Sequence, residues 1–105
     1  MGKMQRAKGA RGERELVNLL IGAGHKARRT APLQTFKQND MPDVLAEIEG
    51  KEVSFEVKLR KDSFKTIYKF LEGNDFLALK ANGEKWLVVQ PLEQYLEGKN
   101  EKLKN

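Results

Sequence analysis

The sequence contains no cysteine. Disulfide frameworks, thiolate zinc sites, iron–sulfur clusters and thiol nucleophiles are therefore excluded. It has one histidine, His25, which rules out a histidine-rich metal site and a pair of catalytic histidines. Any metal must be held mainly by carboxylates, which selects a hard cation such as Mg²⁺, with Mn²⁺ able to substitute. No apolar run approaches the length of a bilayer crossing. The N-terminus is basic but lacks the apolar core of a signal peptide. No membrane partner is expected, and the cytoplasm is the expected location. The chain also lacks a zinc-finger pattern, an aromatic RNA-binding strand signature and a Walker loop, and no organic cofactor is implied.

With 105 residues and 39% hydrophobic content, the chain has room for one domain and one modest core. The net charge is +5, unevenly spread. Residues 1–30 hold eight bases (Lys3, Arg6, Lys8, Arg11, Arg14, Lys26, Arg28 and Arg29) against Glu13 and Glu15, a balance of +6. The remaining residues balance to −1. A concentrated basic segment on a small domain points to a polyanionic partner, most often nucleic acid, although it can also serve as a solubilising tail.

Residues 1–9 read as a mobile basic arm and residues 98–105 as a polar tail, leaving 10–97 as the folded domain. Residues 10–23 show helical spacing, with Leu16, Val17, Leu20, Ile21 and Ala23 on one broad face and glycines at the exit. Residues 25–30 read as a short strand and 31–42 as a loop. Residues 44–49 and 52–59 read as a hairpin around Gly50-Lys51. Asp62 or Ser63 is placed to cap a second helix with Phe64, Ile67, Tyr68 and Leu71 as its apolar stripe. Residues 76–81 and 85–90 suggest a second hairpin around Asn82-Gly83, and Pro91 opens a last short helix. This order predicts an α/β domain with one mixed central sheet flanked by helices.

Two places carry chemistry. On the first helix Glu13 falls within the apolar stripe, whereas Glu15 falls on the opposite side. A carboxylate among apolar neighbours is costly unless compensated. In the hairpin, a Gly50-Lys51 turn sets Leu45 opposite Glu56, Glu47 opposite Ser54 and Asp43 opposite Lys58. Val44, Ala46, Ile48, Val53, Phe55, Val57 and Leu59 then share an apolar face. Asp43, Glu56 and Lys58 meet on the other, starting within about 5–8 Å of each other. Asp43 and Glu56 can share a divalent cation, with the Val57 carbonyl completing an all-oxygen shell alongside waters. Lys58 can orient a water or offset charge, and Glu13, from a helix expected to cover this face, can add a third carboxylate. These are the parts of phosphodiester hydrolysis. The bland alternative is a solvated salt-bridge face.

Pro42-Asp43 followed by Glu56-Val57-Lys58, with Glu13 on a preceding helix, resembles the PD-(D/E)xK nuclease superfamily, of restriction-endonuclease-like fold. Lys8-Gly9-Ala10-Arg11-Gly12-Glu13-Arg14-Glu15-Leu16-Val17 is similar to the opening of the archaeal-type Holliday-junction resolvases, including phage-borne relatives. Gly24 through Arg29, a loop and the Pro42-Asp43 step, Phe55-Glu56-Val57-Lys58 and a helix carrying Tyr68 extend the likeness over roughly residues 8–90. The resemblance implies a Mg²⁺-dependent endonuclease that acts as a homodimer, nicks four-way DNA junctions symmetrically, and works in a host cytoplasm if phage-encoded. It implies that Glu13, Asp43, Glu56 and Lys58 are catalytic, and that Arg14 and Arg29 match basic residues of the family. A serine common in the family's loop is replaced here, so Gln34 or Thr35 takes its place or the enzyme manages without it.

Lys3, Arg6, Lys8, Arg11 and Arg28, with Arg60, Lys61, Lys65 and Lys69, would track phosphates without reading sequence. Lys61, Lys65 and Lys69 recur at helical spacing on one face. His25, at the helix exit, reads as structural or phosphate-contacting. Phe64, Phe76, Trp86 and Tyr95 read as core or subunit-interface residues. Two rival readings remain: a nuclease of this fold acting on other branched, nicked or single-stranded DNA, and a non-catalytic DNA-binding module. Three converging carboxylates favour catalysis, because without a metal they would repel a phosphate backbone.

Overall fold

The computed structural model describes residues 2–30 and 41–99, with side chains from residue 9 onward. The elements are α1 (Gly2–Gly22), β1 (Lys26–Arg29), β2 (Val44–Ile48), β3 (Lys51–Phe55), α2 (Lys65–Leu71), β4 (Leu77–Leu79), β5 (Leu87–Val89) and α3 (Leu92–Leu96). The chain divides into two compact units, one of Met1–Leu59 with Gly98–Asn105 and one of Arg60–Glu97. The α/β class stands. The strands expected in one mixed sheet form two antiparallel sheets among the described residues, β1-β2-β3 and β4-β5.

In the first unit, α1 starts at Gly2 rather than at residue 10, so the expected arm is helical from its second residue. Lys3, Met4, Gln5, Arg6, Ala7 and Lys8 are all good helix formers, and no proline interrupts them. The helix stops at a glycine cap. Gly24 takes φ 97°, its N–H donates to Ile21 O at 2.9 Å, and the His25 N–H donates to Leu20 O at 3.0 Å. This paired closure satisfies the last carbonyls and seats His25 beside Leu20. Both are buried. His25 is 6% exposed, and its Nε2 is buried without a hydrogen-bond partner, which makes it a core residue rather than a phosphate contact. Ile21, expected on the packed face, is 53% exposed; Leu16, Val17 and Leu20 carry the contact.

The β2–β3 turn sits one residue earlier than expected. Ile48 pairs with Lys51 across Glu49-Gly50, and Val44 pairs with Phe55. Glu49 and Gly50 take φ 53° and 78°, both left-handed, as a two-residue turn matched to strand twist requires. The loop is still two residues long, so both faces keep their expected membership, but Asp43 moves from the level of Lys58 to that of Glu56. β1 pairs with β2, Arg29 against Val44 and Ala27 against Ala46. Val44, Ala46 and Ile48 are buried, and Gly12 of α1 lies against Val57 and Leu59. The helix thus covers the apolar face, not the face of Asp43, because that is where burial is favourable. Lys99, in the expected polar tail, pairs with Glu49 at 3.8 Å.

In the second unit, α2 begins at Lys65 with Phe64 as its N-cap and no side-chain cap bond, so neither Asp62 nor Ser63 caps it. Asp62 instead pairs with Lys65 Nζ at 3.0 Å. Lys61 precedes the helix and does not share a helical face with Lys65 and Lys69. In the second hairpin Glu84 N–H closes on Ala81 O at 3.1 Å around Asn82-Gly83, but pairing resumes only at Leu79 with Leu87. Phe76 and Trp86 are exposed, so they are not core residues; Phe64 and Tyr95 are half-buried.

Candidate active site

Asp43 is held from several sides. Pro42 has no N–H, and its carbonyl accepts the Thr30 hydroxyl at 2.6 Å. The Thr30 N–H donates to Asp43 O at 3.2 Å, and the Asp43 N–H donates to Phe55 O at 2.9 Å. Regular β2–β3 pairing ends at Val44 and Phe55. Just beyond, the Val57 N–H donates to Asp43 Oδ2 at 2.8 Å. A carboxylate oxygen thus takes over from the ladder and binds the segment 56–58 to the start of β2 with a charge-assisted bond.

That segment carries the next two groups. Glu56 and Lys58 lie two residues apart on one side of an extended chain, with Lys58 Nζ 3.1 Å from Glu56 Oε2. Both are more than half exposed, 65% for Glu56 and 53% for Lys58. An ion pair this open adds little to stability and is readily exchanged for another charged partner. Asp43, Glu56, Val57 and Lys58 are therefore brought together as the sequence suggests.

Glu13 is placed differently. Its Oε1 is 3.0 Å from Arg29 Nε. The pair is largely sheltered, Glu13 at 19% and Arg29 at 32% exposure. The cost of a carboxylate on the packed stripe of α1 is met by a guanidinium on β1, one residue from Thr30. Among the described residues no group of three or more acidic or histidine side chains is arranged to hold a metal ion. Asp43, Glu56 and the Val57 carbonyl provide hard oxygen donors, with no thiolate or imidazole among them. That chemistry fits Mg²⁺ or Mn²⁺.

Arg11 and Arg14 are exposed on α1, and Arg28 is exposed on the open face of the first sheet. Arg60, Lys61, Lys65 and Lys69 belong to the second unit and are exposed. The side chains of Lys3, Arg6 and Lys8, and the whole of Gln34 and Thr35, lie outside the described residues. Sequence reading missed Thr30, which anchors both Pro42 and Asp43. No spacing rule flags it, because its partners are twelve and thirteen positions away. It also missed the pairing of Glu13 with Arg29, for which only the charge on an apolar stripe hinted at a compensating base.

Residues 4–102 match a family model described as archaeal Holliday junction resolvase. No curated protein and no solved structure was matched.

Proposed function

Because the chain belongs to the archaeal Holliday junction resolvase family, of restriction-endonuclease-like fold, we propose that it is a structure-selective DNA endonuclease. On this reading it resolves four-way junctions by Mg²⁺-dependent phosphodiester hydrolysis, and a homodimer nicks two strands symmetrically. The match over residues 4–102, nearly the whole chain, carries this reading. The Asp43–Val57 hydrogen bond supports it by setting two carboxylates and a lysine at one strand end.

Asp43, Glu56 and the Val57 carbonyl would hold the cation, while Glu13, held by Arg29 on the side of the sheet that α1 covers, would act through waters and not as a direct ligand. Such a cation supplies an acidified water and stabilises charge on a phosphoryl oxygen. Lys58, two residues beyond Glu56 on the extended segment after β3, orients the attacking water or offsets transition-state charge. Arg29, beside Glu13, contacts a phosphate, and Arg11, Arg14 and Arg28 add positions for the backbone. A two-fold assembly suits a junction with two equivalent scissile phosphates, since the described residues of one chain offer one such site. The homodimer is further supported by Phe76, Trp86, Leu87 and Val88, all more than half exposed within the second unit.

The test is direct. Labelled four-way junction and linear duplex of matched sequence are incubated with the protein, with and without Mg²⁺. Paired nicks in the junction alone, dependent on the metal, are expected. An uncut junction in the presence of Mg²⁺ and Mn²⁺ would remove the enzymatic reading.

A further inference from the structure

Gly12 stands at the centre of the 21-residue α1, where glycine is among the poorest helix formers. It is buried, and the reason lies across the contact with the segment that follows β3. A Cβ on Gly12 would lie 2.8 Å from Leu59 Cδ1, 2.9 Å from Leu59 Cγ and 3.3 Å from Val57 Cγ1. The first two distances are closer than real Cβ atoms pack. Gly9 and Gly22, on the same helix, have nothing within 4 Å of such an atom. Of these three glycines, only Gly12 is closely packed, so that a Cβ there forces the Leu59 side chain or the helix to shift.

What Gly12 touches gives this contact its meaning. Val57 and Leu59 flank Lys58, and the Val57 N–H is the group that Asp43 holds. On the helix side the next residue is Glu13, already joined to Arg29. The two halves of the site therefore meet at one close contact: Glu13 and Arg29 on one side, Asp43, Glu56 and Lys58 on the other. We infer that Gly12 is a positioning residue of this site, its missing side chain setting the distance from α1 to the 57–59 segment and hence the place of Glu13 relative to Asp43, Glu56 and Lys58. This rests on the nuclease reading above. It adds that the helix position before Glu13 and position 59, on the segment that follows β3, act as a size-matched pair.

The experiment compares Gly12→Ala, Gly12→Ala with Leu59→Ala, and Gly9→Ala with the unaltered chain. Each is assayed for thermal melting, metal-free junction binding, cleavage rate at saturating junction, and the Mg²⁺ concentration giving half-maximal rate. Displacing a reacting group by a fraction of an ångström to one ångström costs roughly 10–100-fold in rate, so Gly12→Ala should lose that much at saturating junction while binding stays within about twofold. Its half-saturating Mg²⁺ should rise, a readout that simple loss of folded protein does not move. Leu59→Ala removes both atoms nearest the new methyl and should restore rate and Mg²⁺ dependence. Gly9→Ala should leave both unchanged. If Gly12→Ala does not fold, the double variant decides, and a double variant that is folded but slow overturns the proposal. So does Gly12→Ala with unaltered rate and Mg²⁺ dependence. An unaltered chain that fails to cut the junction is a different outcome, and it defeats the nuclease reading itself.

Discussion

At the scale of single residues, Asp43 does two jobs that substitution can separate. Its carboxylate accepts the Val57 N–H, and it is proposed to hold a cation. Asparagine keeps an oxygen acceptor but loses the charge. Asp43→Asn should therefore stay folded, bind junctions, and lose cleavage by about 100-fold or more. Asp43→Ala also leaves the Val57 N–H without its partner and should lower stability by about a further 1 kcal/mol, read as a shift in urea midpoint. Substantial Mg²⁺-dependent cutting by folded Asp43→Asn would remove Asp43 from the site. Glu13 and Glu15 offer a second contrast. Glu13 is sheltered and bound to Arg29, while Glu15 is exposed. Glu13→Gln should cut cleavage by roughly tenfold or more, and Glu15→Gln should leave it within about twofold. Equal losses in a nicking assay would show that the Glu13 position has no special part in the chemistry.

At the scale of elements, the β2–β3 hairpin sets the register on which the site depends. Its turn puts a glutamate, Glu49, at φ 53°, a conformation that costs a residue with a Cβ about 1 kcal/mol. Asparagine tolerates that region and suits the first position of this turn. Glu49→Asn should raise the melting temperature by a few degrees, on the scale of about 4–8 °C per kcal/mol for a chain this size. The contact with Lys99 that is lost, at 3.8 Å on the surface, offsets little of this. A lower melting temperature in calorimetry would contradict the turn geometry. The helix α1 shows a related economy. Its core face is carried by Gly12, Leu16, Val17 and Leu20, so the element that buries the sheet also presents Glu13 to β1.

At the scale of the whole molecule, the predictions concern assembly and DNA. Val88 is 61% exposed, so Val88→Glu costs little in a single chain. If the face carrying Trp86 and Val88 joins two copies, this variant should turn a dimer into a monomer in light scattering. An unaltered mass would place the interface elsewhere. Affinity for junctions should fall steeply with salt, because each lysine or arginine on a phosphate releases counterions. Replacing Lys3, Arg6 and Lys8 together with glutamine should flatten the slope of log affinity against log salt by about two to three units. Glutamine is preferable to deletion here, since residues 2–9 are turns of α1 and not a detachable arm. A slope that does not change would mean these residues stay clear of the DNA.

The sequence by itself determined the class of the molecule, its hard-donor chemistry and the two faces of the hairpin. These depend on residue type and on an alternation of two, and both survive a one-residue displacement of the turn. It was enough to bring Asp43, Glu56 and Lys58 together, since neighbouring strands leave few other arrangements. The tertiary structure decided the rest. Turn position depends on which residues accept left-handed backbone, and Glu49 does so against its own preference. The Glu13–Arg29 and Thr30–Pro42 contacts, and the passage of Gly12 over Leu59, join segments far apart in the chain. Such contacts follow from which surfaces bury one another, and no local pattern records that choice. The division of strands into two sheets has the same origin, because short strands read alike whether they join one sheet or two.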